Sequence, residues 1–480
     1  MIPTTIVVGL YFAGLLGVGG YAARRTEYNP ADYYIANRGL GTIVLTFTLV
    51  ATIFSAWTFF GVGAAARGSG AGVFGFVALT APLYALFFGL IGTRVNRLGT
   101  KLDVLTPVEY LEKRYESPLV GIIYLLISIV FLTAFVATQI IGGAIALDLL
   151  LNLPYRAAVL LIGTFMLIYI HIAGMRGVAW SDLIQGTVML ITLAGAFGFV
   201  LVTVGGDDVV SRVTAASSGA VFTLPGPTGT WTPIYILSFA SFFVLGVPAY
   251  PQVYQRYLGA RSTDILKKSA YLFPLVSIPI YFLAAGLGVW SLGFIADPPN
   301  ADYAIPLMIE QLTTPAIFGV ALAAGVAALM STADSVLLSL SSMVSRDVYR
   351  RYIEPEASDK REVRVSQAVL VTLLTLALGL AFARPAGVFR LGSFAVAGFA
   401  ATAPALLLGV VWSDATRDAA VVSMLLGAGL MVLFVTNVLP SSLTMGLHYG
   451  FVGSVVSLLS FILVSAITTR PSGVEYVYTN

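Results

Sequence analysis

"ALMSTADSVLLSLSSMVSRDVY", Ala328 to Tyr349, ends a long apolar run yet carries Ser331, Thr332, Ser335, Ser339, Ser341, Ser342 and the carboxylate Asp334. Ser331, Ser335, Ser339 and Ser342 recur at helical spacing, with Thr332 beside the start of the stripe and Asp334 about 60° round from Ser331. A lone serine in such a helix usually bonds its own carbonyls or glues two helices. A carboxylate is different, because burying it without a partner costs several kcal/mol, so inside a membrane helix it marks a functional site. Hydroxyl, carbonyl and carboxylate oxygens are what hard cations prefer, and sodium is a natural occupant.

The rest of the chain has membrane composition. It is 480 residues long, 58% hydrophobic and 10% charged, with a mean hydropathy of +0.91, against roughly 25% charged residues in soluble domains. Segments of about 20 apolar residues, enough to cross a bilayer, recur throughout. The chain therefore reads as an all-α polytopic membrane protein, a single domain over residues 1–480. Cysteine is absent, which excludes disulfides and zinc-thiolate sites. The net charge of +3 is spread by membrane side, so it reports topology and gives no reason to expect nucleic acid.

Thirteen transmembrane helices are expected, near 2–23, 41–66, 71–94, 118–149, 155–174, 180–204, 231–255, 268–295, 315–345, 364–383, 387–413, 418–438 and 446–468. The first has Arg24 and Arg25 after it and no basic region before it, unlike a signal peptide, so it is read as retained, with the N-terminus outside. On that count only Arg67, Arg156, Arg212, Arg384 and Arg390 of the 26 Lys and Arg residues fall outside; Arg256, with Arg346, Arg350, Arg470 and the others, falls in cytoplasmic segments. The positive-inside rule then places the protein in the cell membrane with a cytoplasmic C-terminus.

Helices two to six (41–204) and seven to eleven (231–413) form two groups of five, with one extra helix before and two after. An odd number of crossings starts the second group from the opposite side, so groups sharing a fold are inverted repeats, as in many secondary transporters. Such proteins break the first helix of each repeat near the midplane. "LVATIFSAWTFFGVG" (49–63) has Ala51, Thr52, Ser55, Ala56 and Thr58 at that depth, and "FVLGVPAYPQ" (243–252) has Gly246, Pro248 and Pro251. The plainer reading of both is close packing and a proline kink. Asp182 lies near the start of the sixth helix, where the headgroup zone is an alternative setting. The two histidines, His171 and His448, end unrelated helices, and no Walker, Rossmann or metal-His spacing occurs, so the chain is not expected to be an enzyme.

Taken in order, "ADYYIANRGLG", "GMRGVAWSDLIQG", "YQRYLGARS", the opening stretch and "LGSFAVAGFAATAPALLLGVVW" resemble the sodium:solute symporter family over nearly the whole chain. Its members include carriers of proline, galactose, sialic acid, pantothenate and monocarboxylates. The resemblance implies a leucine-transporter-like fold, a small-molecule substrate and sodium as the coupling ion, with no other cofactor. It implies a sodium site from the carbonyls of Ala51, Phe54 and Ala328 and the hydroxyls of Ser331 and Thr332. Some relatives bind a second sodium at the positions of Asp182, Asp334 and Ser335. Here one of those hydroxyls is replaced by a carboxylate, which leaves open a second cation site or a proton site.

The implied substrate positions are Ser55, Trp57, Thr58, Phe243 and Val247, with Thr138 and Gln139 from the fourth helix. Sugar carriers have acidic, amide and indole groups where this chain has Trp57, Thr58, Phe243 and Val247, and polyol recognition needs paired polar groups. Proline carriers share the tryptophan but have Asp where Ile53 stands and Tyr where Val247 stands. A small monocarboxylate or amino acid is therefore favoured, its carboxylate held by free N–H groups at the first break. Proton-coupled symport on the same fold and a transporter-like sensor are the competing readings.

Overall fold

The computed structural model describes residues 4–23, 29–170, 174–217 and 219–469. Arg24, Arg25, His171 and Arg470 lie outside the described residues. Among the described residues the structure is helical, with a single isolated bridge between Leu40 and Ala260. In chain order, α1 (Thr4–Ala23) and the short α2 (Pro30–Ile35) lead to α3 (Thr42–Ile53) and α4 (Gly63–Ser69). Then come α5 (Gly72–Phe87), α6 (Thr93–Lys101), α7 (Pro107–Tyr115), α8 (Pro118–Leu151), α9 (Tyr155–Ile170), α10 (Met175–Val204) and α11 (Gly206–Ser217). The second half comprises α12 (Pro233–Gly246), α13 (Pro251–Gly259), α14 (Thr263–Trp290), α15 (Ala304–Leu312), α16 (Pro315–Met343) and α17 (Asp359–Ala383). It ends with α18 (Val388–Leu407), α19 (Arg417–Val435) and α20 (Tyr449–Ile467).

Helix starts follow from local chemistry. Thr106, Thr232 and Thr314 each precede a proline at the first helical position, and each hydroxyl accepts from a backbone N–H of the first turn. Proline gives up no bond there, and the hydroxyl satisfies a donor that the helix cannot.

Among the described residues nine helical segments are long and apolar enough to cross a membrane, and two bent pairs bring the number to 11. The pairs are Thr42–Ile53 with Trp57–Ser69, bent by 57°, and Pro233–Ala249 with Pro251–Gly259, bent by 52°. Both bends fall in the segments where breaks are expected. Several expected helix ends need correction: the sixth, eighth and tenth helices each begin five residues earlier, at Met175, Thr263 and Asp359. The third helix continues through Thr93–Lys101, the ninth runs on to Ile353, and the seventh is two pieces ending at Gly259. Hydropathy falls where polar residues begin, while backbone hydrogen bonding carries the helix past that point.

The spans of α16 and α18 are 83% and 89% buried, which makes them the centre of the bundle. α16 packs on α1, α3, α8, α10 and α17, so the serine stripe of the opening stretch is interior on every side. The outer faces of the bundle turn Leu126, Val130, Ile191, Leu275 and Leu463 outward.

The two ends of the bundle differ. At the end carrying α2, α7 and the extension of α16, Arg346 meets Glu109 at 2.7 Å and Glu362 at 3.3 Å, Arg350 meets Glu362 at 2.5 Å, and Arg351 pairs with Glu112. Asp347 accepts from the Thr106 hydroxyl at 2.8 Å, so this end is tied together by ion pairs and hydrogen bonds. The opposite end holds two cavities, of about 810 and 1210 Å³, whose walls both include Tyr235, Phe389 and Arg390.

Candidate functional site

The first break frees carbonyls but few donors. Phe54 takes extended backbone (ψ 117°) immediately after α3, which turns its carbonyl off the helix axis. The N–H groups of Ala56 to Phe59 are already used. Ala56 donates to Gln139 Oε1 at 2.9 Å, Trp57 to Ser55 Oγ at 3.0 Å, and Thr58 and Phe59 to the Ser55 carbonyl at 2.9 and 3.1 Å. A carboxylate held by N–H groups of this break is therefore not available from Ala56 to Phe59. Ser55 and Gln139 thus cap the break. Gln139 is itself held by the Phe135 carbonyl (3.0 Å) and Thr138 Oγ1 (2.8 Å), and the Thr138 hydroxyl donates to Phe135 at 2.6 Å.

Facing the freed carbonyls is α16. Ser331 Oγ lies 2.9 Å from both the Ala51 and the Ala328 carbonyls. Thr332 Oγ1 lies 3.1 Å from the Ala51 carbonyl and 3.2 Å from that of Phe54. All five residues are buried. Five oxygens meet here with only two protons among them, since each hydroxyl has one hydrogen and two carbonyls within reach. Among the described residues there is no group of three or more His, Asp or Glu able to hold a metal. The cluster is a neutral, electron-rich oxygen cage of the kind that suits a hard monovalent cation.

One turn further along α16, the expected second set assembles around an arginine. Asp182 is fully buried, not at the headgroup level, and its Oδ2 accepts from Thr48 at 2.5 Å and from Arg256 Nη2 at 3.2 Å. The same Nη2 donates to Ser335 Oγ at 2.5 Å, Nε to Thr48 at 3.1 Å, and Nη1 to the Gln252 carbonyl at 3.1 Å. Arg256, assigned to a loop from hydropathy, is fully buried on α13. The cation between Asp182 and Ser335 is thus a side chain. Asp334, beside Ser335, is fully buried, and among the described residues neither of its oxygens has a hydrogen-bond partner. The rest of the stripe is packing: Ser339 and Ser342 donate to the carbonyls three residues back, and Ser342 also accepts from Gln255.

The expected solute residues divide. Trp57 is brought against Phe243 (5.1 Å between ring centroids) and stacked on Phe389 at 5.2 Å and 17°. Its indole N–H donates to the Phe389 carbonyl at 2.9 Å. Gly392 permits this approach, because a Cβ there would fall 2.1 Å from Trp57 Cδ1. Val247 is buried where α12 ends, and the Thr58 hydroxyl is buried without a partner among the described residues. The two cavities at the open end reach Phe389 but not Trp57, Phe243 or Val247, so an aromatic lid separates them from the oxygen cage. Phe389, Gly392, Arg256 and Thr48 were not identified from sequence. For Arg256 a signal existed: it follows Pro251 by five residues, about 7.5 Å of helix, which keeps it within the span.

Two mid-span breaks packed around a hydroxyl-bearing helix, with carbonyls of the first break facing the hydroxyls of α16, define a membrane-embedded, ion-coupled transporter. The chain belongs to the sodium:solute symporter family, whose profile matches residues 33–427. It is a sodium-coupled symporter of a small solute and not an enzyme. It is 29% identical over 490 residues to a sodium/proline symporter of Haemophilus influenzae, covering 98% of this chain and 95% of the relative. To a sodium/pantothenate symporter of the same organism it is 28% identical over 433 residues, covering 89% of each. Its fold matches the solved structure of a Na+-coupled sialic acid symporter in a substrate-bound outward-open state, with a TM-score of 0.80, at 22% identity, over 98% of this chain and 99% of that one.

Proposed function

We propose that this chain moves sodium, held by Ala51, Phe54, Ala328, Ser331 and Thr332, into the cell together with a small carboxylate-bearing solute, a monocarboxylate or an amino acid. The observation that carries the reading is the five-oxygen cage between α3 and α16, which holds oxygen ligands and no positive charge. The solute class follows from the expected solute residues Trp57, Thr58, Phe243 and Val247, which bring too few polar groups for a polyol. It also follows from the proline and pantothenate relatives, whose named solutes both carry a carboxylate.

In this reading the two bent pairs, the nine long helices, α1 and α9 make thirteen crossings of the cell membrane. Residues 41–204 and 231–413 form inverted repeats, and the tied, basic end faces the cytoplasm with the C-terminus. The N-terminus is then outside, and the two cavities face outward. Sodium joins α16 to the break that also carries Trp57, so an ion in the cage fixes one wall of the solute pocket. Coupling follows only if sodium favours that arrangement over the alternative. The membrane potential adds about 2.3 kcal/mol per charge per 100 mV to inward movement. Asp182 and Ser335 already hold the Arg256 guanidinium, so no second sodium is assigned to them and Asp334.

Uptake of labelled proline and small acids into proteoliposomes, with sodium and proton gradients imposed separately, tests the reading. Uptake should follow the sodium gradient and fall to background in a Ser331→Ala/Thr332→Ala variant. Uptake driven by the proton gradient alone would instead favour coupling through Asp334 or Asp182.

A further inference from the structure

The first break has spent its donors from Ala56 to Phe59 on Gln139 and Ser55, and the expected solute residues bring no cation. A carboxylate needs a positive partner elsewhere on the path, and the open end of the bundle supplies one. Arg390 lines both outer cavities, and among the described residues its guanidinium makes no ion pair and no hydrogen bond. The neighbouring arginines are engaged. Arg384 pairs with Asp302 at 3.5 Å and lies over the Tyr155 ring, and Arg67 donates to Ser291 and to the Ile295 and Ala296 carbonyls. In the smaller cavity Arg384 and Asp302 cancel, and in the larger one Arg390 is the single Lys, Arg, Asp or Glu of the lining. Both cavities therefore carry a net positive charge that comes from one side chain.

Position makes that charge relevant to transport. Arg390 directly follows Phe389, whose ring covers Trp57 and whose carbonyl holds the indole N–H. Tyr235 stands beside it on the wall shared by the two cavities. A guanidinium presents a planar fork that matches a carboxylate bidentately, and a phenol adds a neutral donor.

We propose that Arg390 is the carboxylate-recognising residue of the outer vestibule: the solute is a small organic acid that docks on Arg390, beside Tyr235 and Phe389, before the aromatic lid admits it to Trp57. The inference rests on the symport reading and on the cavities facing outward. It adds that a net anion is taken in preference to an uncharged or cationic solute.

The test uses the full-length protein in proteoliposomes with labelled pyruvate, propionate and proline, and lactate and its uncharged analogue lactamide as competitors. Arg390→Gln should raise the half-saturation concentration of the transported acid about tenfold, the scale of one partly exposed charge-assisted contact. The maximal rate should stay within about twofold, and Arg390→Lys should recover much of the loss, because charge is retained while the fork is not. Inert salt should raise half-saturation in the wild type but not in Arg390→Gln, as expected for a screened exposed charge. Lactate should compete and lactamide should not. The proposal is overturned if Arg390→Gln leaves half-saturation unchanged, if lactamide competes as well as lactate, or if no acid is transported although sodium still stabilises the protein. Loss of the sodium response as well would overturn the symport reading beneath it.

Discussion

At Ser331 and Thr332 the bundle presents five oxygens and no positive charge, whereas one turn along α16, at Ser335, it presents two carboxylates and supplies its own cation, Arg256. Both places look alike in sequence, as oxygen-bearing side chains in an apolar run. They differ in what reaches them from other helices. Backbone carbonyls from a broken helix arrive at the first, and a guanidinium from the other broken pair arrives at the second. A buried oxygen cluster can take a free ion only where no side-chain cation has come first, because a tethered guanidinium removes both the charge and the ligand positions that a free ion needs.

Removing that guanidinium should have the largest effect. Arg256→Gln leaves Asp182 buried and unpaired, at a cost of about 3–5 kcal/mol, and thermal unfolding in detergent should show a large drop in midpoint or loss of folded protein. Adding Asp182→Asn to it should restore most of the stability; a single variant as stable as the wild type would break the comparison. Gly392→Ala tests the aromatic lid apart from the cage. The added methyl displaces Trp57, with a cost of about 1–3 kcal/mol for overpacking, and half-saturation for the solute should rise more than that for sodium.

Gln139→Leu leaves the Ala56 N–H without its acceptor, and a buried unpaired donor costs about 1–3 kcal/mol. The break should loosen, and sodium affinity should weaken several-fold in a sodium titration of uptake, although Gln139 touches no sodium ligand by side chain. Ser339→Ala, on the same stripe as Ser331, removes only a bond to the Val336 carbonyl. It should change stability by about 0.5 kcal/mol and leave the sodium titration where it was. A clear sodium effect there would mean that the stripe acts as a whole.

Much of this was legible in the sequence. Thr332 and Ser331 stand out because hydroxyls and a carboxylate are conspicuous in an apolar run, and both breaks fall where small residues or prolines interrupt one. What was not legible depended on reach between helices. Gln139 reads from sequence as a solute contact, and its bond from Oε1 to the Ala56 N–H, which caps the break, is visible only in the fold. Arg256 reads as a loop cation because hydropathy drops after Pro251, although the helix continues to Gly259 with Arg256 inside the bundle. Asp334 remains as conspicuous in the structure as in the sequence, a buried carboxylate with no hydrogen-bond partner among the described residues.

The central claim is that sodium binds between α3 and α16. The most direct measurement is the thermal unfolding midpoint of the purified protein as sodium replaces potassium, for the wild type and for Ser331→Ala/Thr332→Ala. A ligand that binds only the folded state stabilises it by about 2.7 kcal/mol at a hundredfold excess over its Kd. The wild type should therefore gain a saturable upward shift with sodium and not with potassium, and the double variant should show none. An equal shift in the double variant would place sodium elsewhere and contradict the account.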